Sequence, residues 1–256
     1  MISIKNLSKE YSGDVHALKN VNLNIAKGDF VMLLGSSGAG KSTLLRSINR
    51  LTEATSGEIF YDGIKVDDKK SIDYVRKNTG MIFQSFNIVN RLSVLQNVLC
   101  GRLAYNSVLP TCFKLFKESD IELALDALDR VGLSDKVYSR ADQLSGGQRQ
   151  RVGIARALVQ QPKVILADEP VASLDPVSAA QILDILTEIN RSDNITTIIS
   201  IHNIHLAMKY AKRIVGLKHG EMVFDKDASL VKSEDISLIY EGDMSFESES
   251  PVKEQA

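Results

Sequence analysis

The sequence is poor in cysteine. Cys100 and Cys112 are the only two in 256 residues. That is too few for a disulfide framework, and their spacing is not that of metal ligands. A reduced, cytosolic setting fits them as plain thiols. A long apolar run is also missing: none approaches the roughly 18 residues of a membrane span. The opening MISIKNLSKEY alternates as a strand does and holds no signal-peptide core. The expectation is a chain kept in the cytoplasm that meets a membrane only through a partner. There is no basic excess either, with 31 Lys and Arg against 32 Asp and Glu, so nucleic acid is not an expected partner. No internal repeat, low-complexity tract or sustained heptad is present, which excludes solenoids and long coiled coils. What remains is ordinary globular composition, 44% hydrophobic and 25% charged. It fits one large domain, or one domain with a lobe inserted.

Along the chain, residues 1–34 read as short strands. ISIKNL alternates, and DFVMLLG is a buried strand running into a glycine loop. A helix is predicted from Lys41 to about Leu51. SGEIFYDG reads as an exposed strand and turn, and TGMIFQS as a short strand ending at Gln84. From about 87 to 161 the apolar spacing turns helical, as in DIELALDALDRVGL before Gly132. The strand KVILADEP, the helix PVSAAQILDILTEINR and the strand TTIISIH then form a βαβ unit, which implies a parallel sheet covered by helices. EMVFDKD is strand-like, and the acidic, polar tail 241–256 is expected to be disordered.

The chemistry begins at GSSGAGKST, which fits G-x-x-x-x-G-K-[ST]. Gly35, Gly38 and Gly40, with Ser36, Ser37 and Ala39 between them, offer backbone N–H groups to phosphates without a bulky side chain in the way. Lys41 reaches the β- and γ-phosphates, the Ser42 hydroxyl ligates Mg²⁺, and Thr43 follows in the helix start. Such a loop needs an acid for the metal, and VILADEP supplies it. Four apolar residues lead to Asp168, expected to hold Mg²⁺ through water, and to Glu169, which extends toward the attacking water as its base. His202 and Gln84 end other strands of the same inferred sheet. His202 can reach the γ-phosphate, and Gln84 the metal or the water. A second phosphate-facing helix start, QLSGGQRQR, lies a hundred residues beyond the first. One nucleotide site does not explain two such starts.

Together these residues resemble the ATP-binding subunit of ABC transporters, over most of the chain from Ile2 to about Asp225. On that resemblance, residues 35–43 are the Walker A loop, Gln84 the Q-loop glutamine and LSGGQ the signature. Asp168 closes Walker B, Ser173, Leu174 and Asp175 form the D-loop, and His202 is the switch histidine. Tyr11 matches the aromatic that stacks on adenine. The implied fold is α/β: a P-loop NTPase core with a mainly parallel sheet, an antiparallel β subdomain and an inserted α-helical lobe. Its implied limits are 1–240, with a RecA-like core at about 1–86 and 162–225, and the lobe at about 87–161. The family also resolves the two helix starts. Two such domains pair head to tail, so Ser145, Gly146, Gly147 and Gln148 of one copy face the ATP held by the loop of the other.

The implied partners are therefore a second copy, integral membrane permease subunits and, indirectly, a substrate-binding protein, on the cytoplasmic face of the cell membrane. The stretch 101–116, with ADEPVASLDP and YAKRIVGLKHGEMVFD, looks like phosphonate-import subunits. Asn203, Ile204 and His205 depart from that pattern, since an acidic residue is expected after the switch histidine. Phosphate, amino acid or lipoprotein transport is the alternative substrate reading, and a soluble non-transport ABC ATPase the alternative class. The latter usually carries a long coiled coil or two tandem domains. A GTPase switch would need N/T-K-x-D, which is absent.

Overall fold

The apolar runs form the centre of a six-stranded sheet. β3 (Phe30–Leu34) and β7 (Val164–Asp168) are buried at every position. Their side chains alternate between two cores: Phe30, Met32, Leu34, Ile165 and Ala167 join one cluster, while Val31, Leu33, Val164 and Leu166 join the other. A strand that is buried on both faces has no polar alternation for sequence to display. The computed structural model describes residues 1–106 and 116–240. Cys112, much of the 101–116 stretch and the tail 241–256 lie outside the described residues.

The remaining strands are β1 (Ile2–Tyr11), β2 (Val15–Ile25), β4 (Ser56–Tyr61), β5 (Ile64–Lys65), β6 (Thr79–Ile82), β8 (Thr196–Ile201), β9 (Arg213–Lys218) and β10 (Glu221–Asp227). The large sheet runs β10-β9-β3-β8-β7-β6, parallel except for the β9–β10 pair. A second, antiparallel sheet has the order β2-β1-β4-β5. β1 and β2 are longer than the short strands expected, because each pairs along its length with the other. β4 is only half exposed: Ile59 and Tyr61 are buried in the core between the two sheets.

Among the described residues the α-helices are α1 (Lys41–Ile48), α2 (Lys69–Asn78), α3 (Val94–Leu99), α4 (Glu118–Arg130), α5 (Gly146–Leu158), α6 (Pro176–Asp193), α7 (Ile204–Tyr210) and α8 (Ser233–Tyr240). α1 stops three residues short of the predicted end, where Arg50 turns to a positive φ of 53°. α2 was not anticipated, because only Ser71 and Val75 of its charged sequence are buried. Its legible signal is the capping box of Asp68 with Ser71. α8 also escaped the apolar pattern, yet Ile239 and Tyr240 join the main core cluster.

Between β6 and β7 the chain leaves the sheet, and α3, α4 and α5 pack on one another. A buried polar cluster fixes their base. Arg102 donates from Nε to Asp120 Oδ1 at 2.7 Å and from a terminal nitrogen to the Val159 carbonyl at 3.2 Å. Asn106 donates to Asp120 Oδ2 at 2.7 Å. Burial works against the Asp120 charge, but the Asn106 and Arg102 hydrogen bonds outweigh it and hold the carboxyl below its usual range. Asp120→Ala leaves Arg102 buried without its counter-ion. It is expected to lower the unfolding free energy by about 3–5 kcal/mol in urea denaturation. A loss below about 1 kcal/mol would mean that the pair behaves as a solvated surface bridge.

Candidate active site

β3 ends at Leu34 and α1 begins at Lys41, so the loop between them must turn sharply over the sheet's carboxyl edge. Gly40 makes the turn at φ 101°, and a Cβ there would lie 2.4 Å from the Ala17 carbonyl oxygen. A Cβ on Gly35 would lie 2.5 Å from the Leu217 carbonyl oxygen. The loop is thus pressed against β2 and β9 at two points where only hydrogen fits. Gly38, also at positive φ, faces open space.

Lys41 is 4% exposed. Its ammonium donates to the carbonyls of Gly35 at 2.7 Å and Ser36 at 2.9 Å, and lies 3.6 Å from Glu169 Oε1. Burial pushes its pKa down, against the opposing pull of Glu169 and Asp168. A cation so held is aimed into the loop before any phosphate contact.

The acids stand at the end of β7. Asp168 is buried, and its Oδ1 accepts from the Ser42 hydroxyl at 2.6 Å and the Ser200 hydroxyl at 3.0 Å. Its Oδ2 lies 3.3 Å from an Arg46 nitrogen. Glu169 adopts a positive φ of 46°, and its N–H donates to Ser200 Oγ at 2.8 Å. Its other carboxylate oxygen lies 3.6 Å from His202 Nδ1.

One cleft is lined by residues 37–43, Gln84, Glu169 and Tyr11. Gln84 is exposed two residues past the end of β6, rather than within the strand, and His202 likewise follows β8. Tyr11 is 44% exposed, with the Lys9 ammonium 4.9 Å from its ring centroid. Val15 and His16 line the same cleft.

The signature residues lie elsewhere. Ser145 caps α5: its hydroxyl accepts from the Gln148 N–H at 3.3 Å, and Gln148 Oε1 accepts from the Ser145 N–H at 2.9 Å. A Cβ on Gly146 would meet Leu174 at 3.4 Å, and one on Gly147 would meet Ser178 at 3.1 Å. Asp175 caps α6 by accepting from the N–H groups of Val177 and Ser178. Neither Ser145 nor Asp175 lines the Lys41 cleft, and the starts of α5 and α6 lie beside each other.

Two supporting residues escaped the sequence reading. Ser200 joins the two acids, and its signal was a small hydroxyl two positions before His202. Arg46 reaches Asp168, and its signal was its place four residues after Ser42 on one helix face.

Residues 18–172 match the model of the ABC transporter family. The chain belongs to that family. It is 55% identical over 242 residues to the phosphonates import ATP-binding protein PhnC of Shouchella clausii, covering 94% of this chain and 91% of that protein. In structure it resembles the bacterial ABC transporter cassette MJ0796, solved as a dimer, with a TM-score of 0.78 and 37% identity over 89% of this chain and 99% of that one. The same cassette in a dimeric post-hydrolysis state, bound to ADP and Pi, gives a TM-score of 0.76 at the same identity and coverage. This ABC chain is thus an ATP-binding, ATP-hydrolysing subunit, and among its described residues no helix is long and apolar enough to cross a membrane. Gly40→Ala is expected to weaken ATP binding by at least about tenfold, about 1.4 kcal/mol, because a methyl group cannot enter at 2.4 Å from Ala17 O. Titration with a fluorescent ATP analogue measures this; unchanged affinity would show that the loop can shift without loss.

Proposed function

We propose that this ABC subunit energises import of phosphonate, or of a related phosphorus oxyanion, by hydrolysing ATP in the cleft beside Lys41. The observation that carries the chemistry is Glu169, held 3.6 Å from both Lys41 and His202 and one residue past Asp168. The substrate reading rests on the likeness to PhnC and on the stretch 101–116. The residues at the acid end suit Mg²⁺: a hydroxyl and a carboxylate oxygen 2.6 Å apart are hard oxygen donors. Among the described residues no group of three His, Cys, Asp or Glu could hold a metal alone. This fits an ion completed by phosphate oxygens and water. Ser42, Asp168 and Gln84 would hold it, and it would supply charge neutralisation at the β- and γ-phosphates.

Tyr11 stacks on the adenine, and the N–H groups of the loop with Lys41 hold the phosphates. Glu169 takes a proton from water as the water oxygen bonds to the γ-phosphorus. The bond from that phosphorus to the bridging oxygen breaks, and ADP leaves with its electron pair. His202 contacts the γ-phosphate. The exposed Ser145 and its helix start serve the ATP of a second copy paired head to tail, with Asp175 beside the same interface. Permease subunits then hold the pair at the cytoplasmic face of the membrane, and a binding protein presents the substrate to them.

Glu169→Gln is expected to keep ATP affinity and lower turnover by about 10²–10⁴-fold. Phosphonate uptake by cells carrying only that variant stops as well. Near-normal phosphate release would remove Glu169 as the base. In the Glu169→Gln background, Ser145→Arg is expected to keep the ATP affinity of dilute monomer and abolish the ATP-dependent dimer on size-exclusion chromatography without Mg²⁺. A fall in monomer affinity beyond about tenfold would place the signature on its own chain's nucleotide.

A further inference from the structure

Tyr240 is the last residue of α8, and its side chain is buried in the main core cluster. Its hydroxyl donates to the backbone carbonyl of His202 at 3.0 Å, across 38 positions of sequence. His202 sits where the chain changes course. Ile201 ends β8, and Asn203 caps α7 by accepting from the Leu206 N–H at 3.0 Å. The His202 peptide therefore belongs to neither ladder, and a hydrogen bond to its carbonyl restrains the backbone that carries the ring. That ring lies 3.6 Å from Glu169 and is 54% exposed, so it is not packed into place. Upstream the strand is pinned by Ser200, whose hydroxyl is shared by Asp168 and the Glu169 N–H.

α8 is a firm support for such a contact. Asp235 accepts from the Lys226 ammonium at 2.7 Å and from the Lys232 N–H at 3.0 Å, which fixes the first turn of the helix to β10. Ile239 is fully buried one residue before Tyr240. The buried phenol thus reaches the site edge from a helix tied to β10.

We propose that Tyr240 is a positioning residue for His202: the C-terminal helix, through one hydroxyl, sets the angle at which the histidine presents its ring to the reacting phosphate. This rests on the reading that His202 contacts that phosphate. Tyr240→Phe removes the hydroxyl and keeps the ring that fills the core. It is expected to lower kcat about three- to tenfold, as loss of one neutral hydrogen bond implies, with KM for ATP unchanged within about twofold. A purely structural role would instead lower stability, or move KM and kcat together.

A second measurement reads position directly. The chain has four histidines, His16, His202, His205 and His219. In proton–nitrogen spectra of the imidazoles of the full chain, with His202→Ala identifying the signal, Tyr240→Phe is expected to shift or broaden the His202 resonance. Those of His16 and His219 stay in place. An unmoved His202 resonance, or a kcat equal to that of the parent, overturns the proposal. Normal hydrolysis by His202→Ala would instead remove the phosphate role of His202, while a His202 signal that follows Tyr240 would still establish the contact.

Discussion

A buried carboxylate must be met by donors or it loses its charge, and Asp168 meets that demand from three directions. Ser42 comes from the start of α1, Arg46 from one turn further on, and Ser200 from β8. These contacts span 126, 122 and 32 positions of sequence. The loop after β3, the end of β7 and the end of β8 are thereby locked into one edge of the sheet. Ser200 extends the lock by accepting from the Glu169 N–H, so the second acid takes its direction from the first. The cleft lined by Lys41, Ser42 and Glu169 depends on that arrangement for its shape.

The loop itself is held by sterics more than by attraction. Gly35 and Gly40 lie so close to the β9 and β2 backbones that any side chain would collide. Lys41 is then drawn inward by two carbonyls, and burial makes its charge costly without anionic neighbours. Glu169 and Asp168 supply that neighbouring charge.

A separate grip joins the lobe to the cleft. Arg156 of α5 donates to the carbonyls of Phe86, at 2.9 Å, and Asn87, while Arg149 lies 5.6 Å from the Phe86 ring centroid. Phe86 and Asn87 both hold positive φ, 60° and 49°. Burial pushes the Arg156 pKa down. The segment just after Gln84 is therefore bent and held by the helix that begins at Ser145.

Much of this was legible in the sequence because it is local. The glycine loop, the apolar runs of β3 and β7, the acids at the end of β7, and the helix start at the signature are each written within a few residues, where sterics and hydrogen bonding act between near neighbours. What stayed hidden depends on partners far along the chain. α2 and α8 bury too few side chains to show a period, Ser200 and Arg46 acquire meaning only beside Asp168, and Tyr240 only beside His202. The sequence by itself determined the glycine loop, the buried runs of β3 and β7 and the place of the two acids. Only the tertiary structure decided which donors meet at Asp168, that Gln84 and His202 stand beyond their strands, and that the signature residues do not line the Lys41 cleft, because those are matters of long-range packing that no short window of residues encodes.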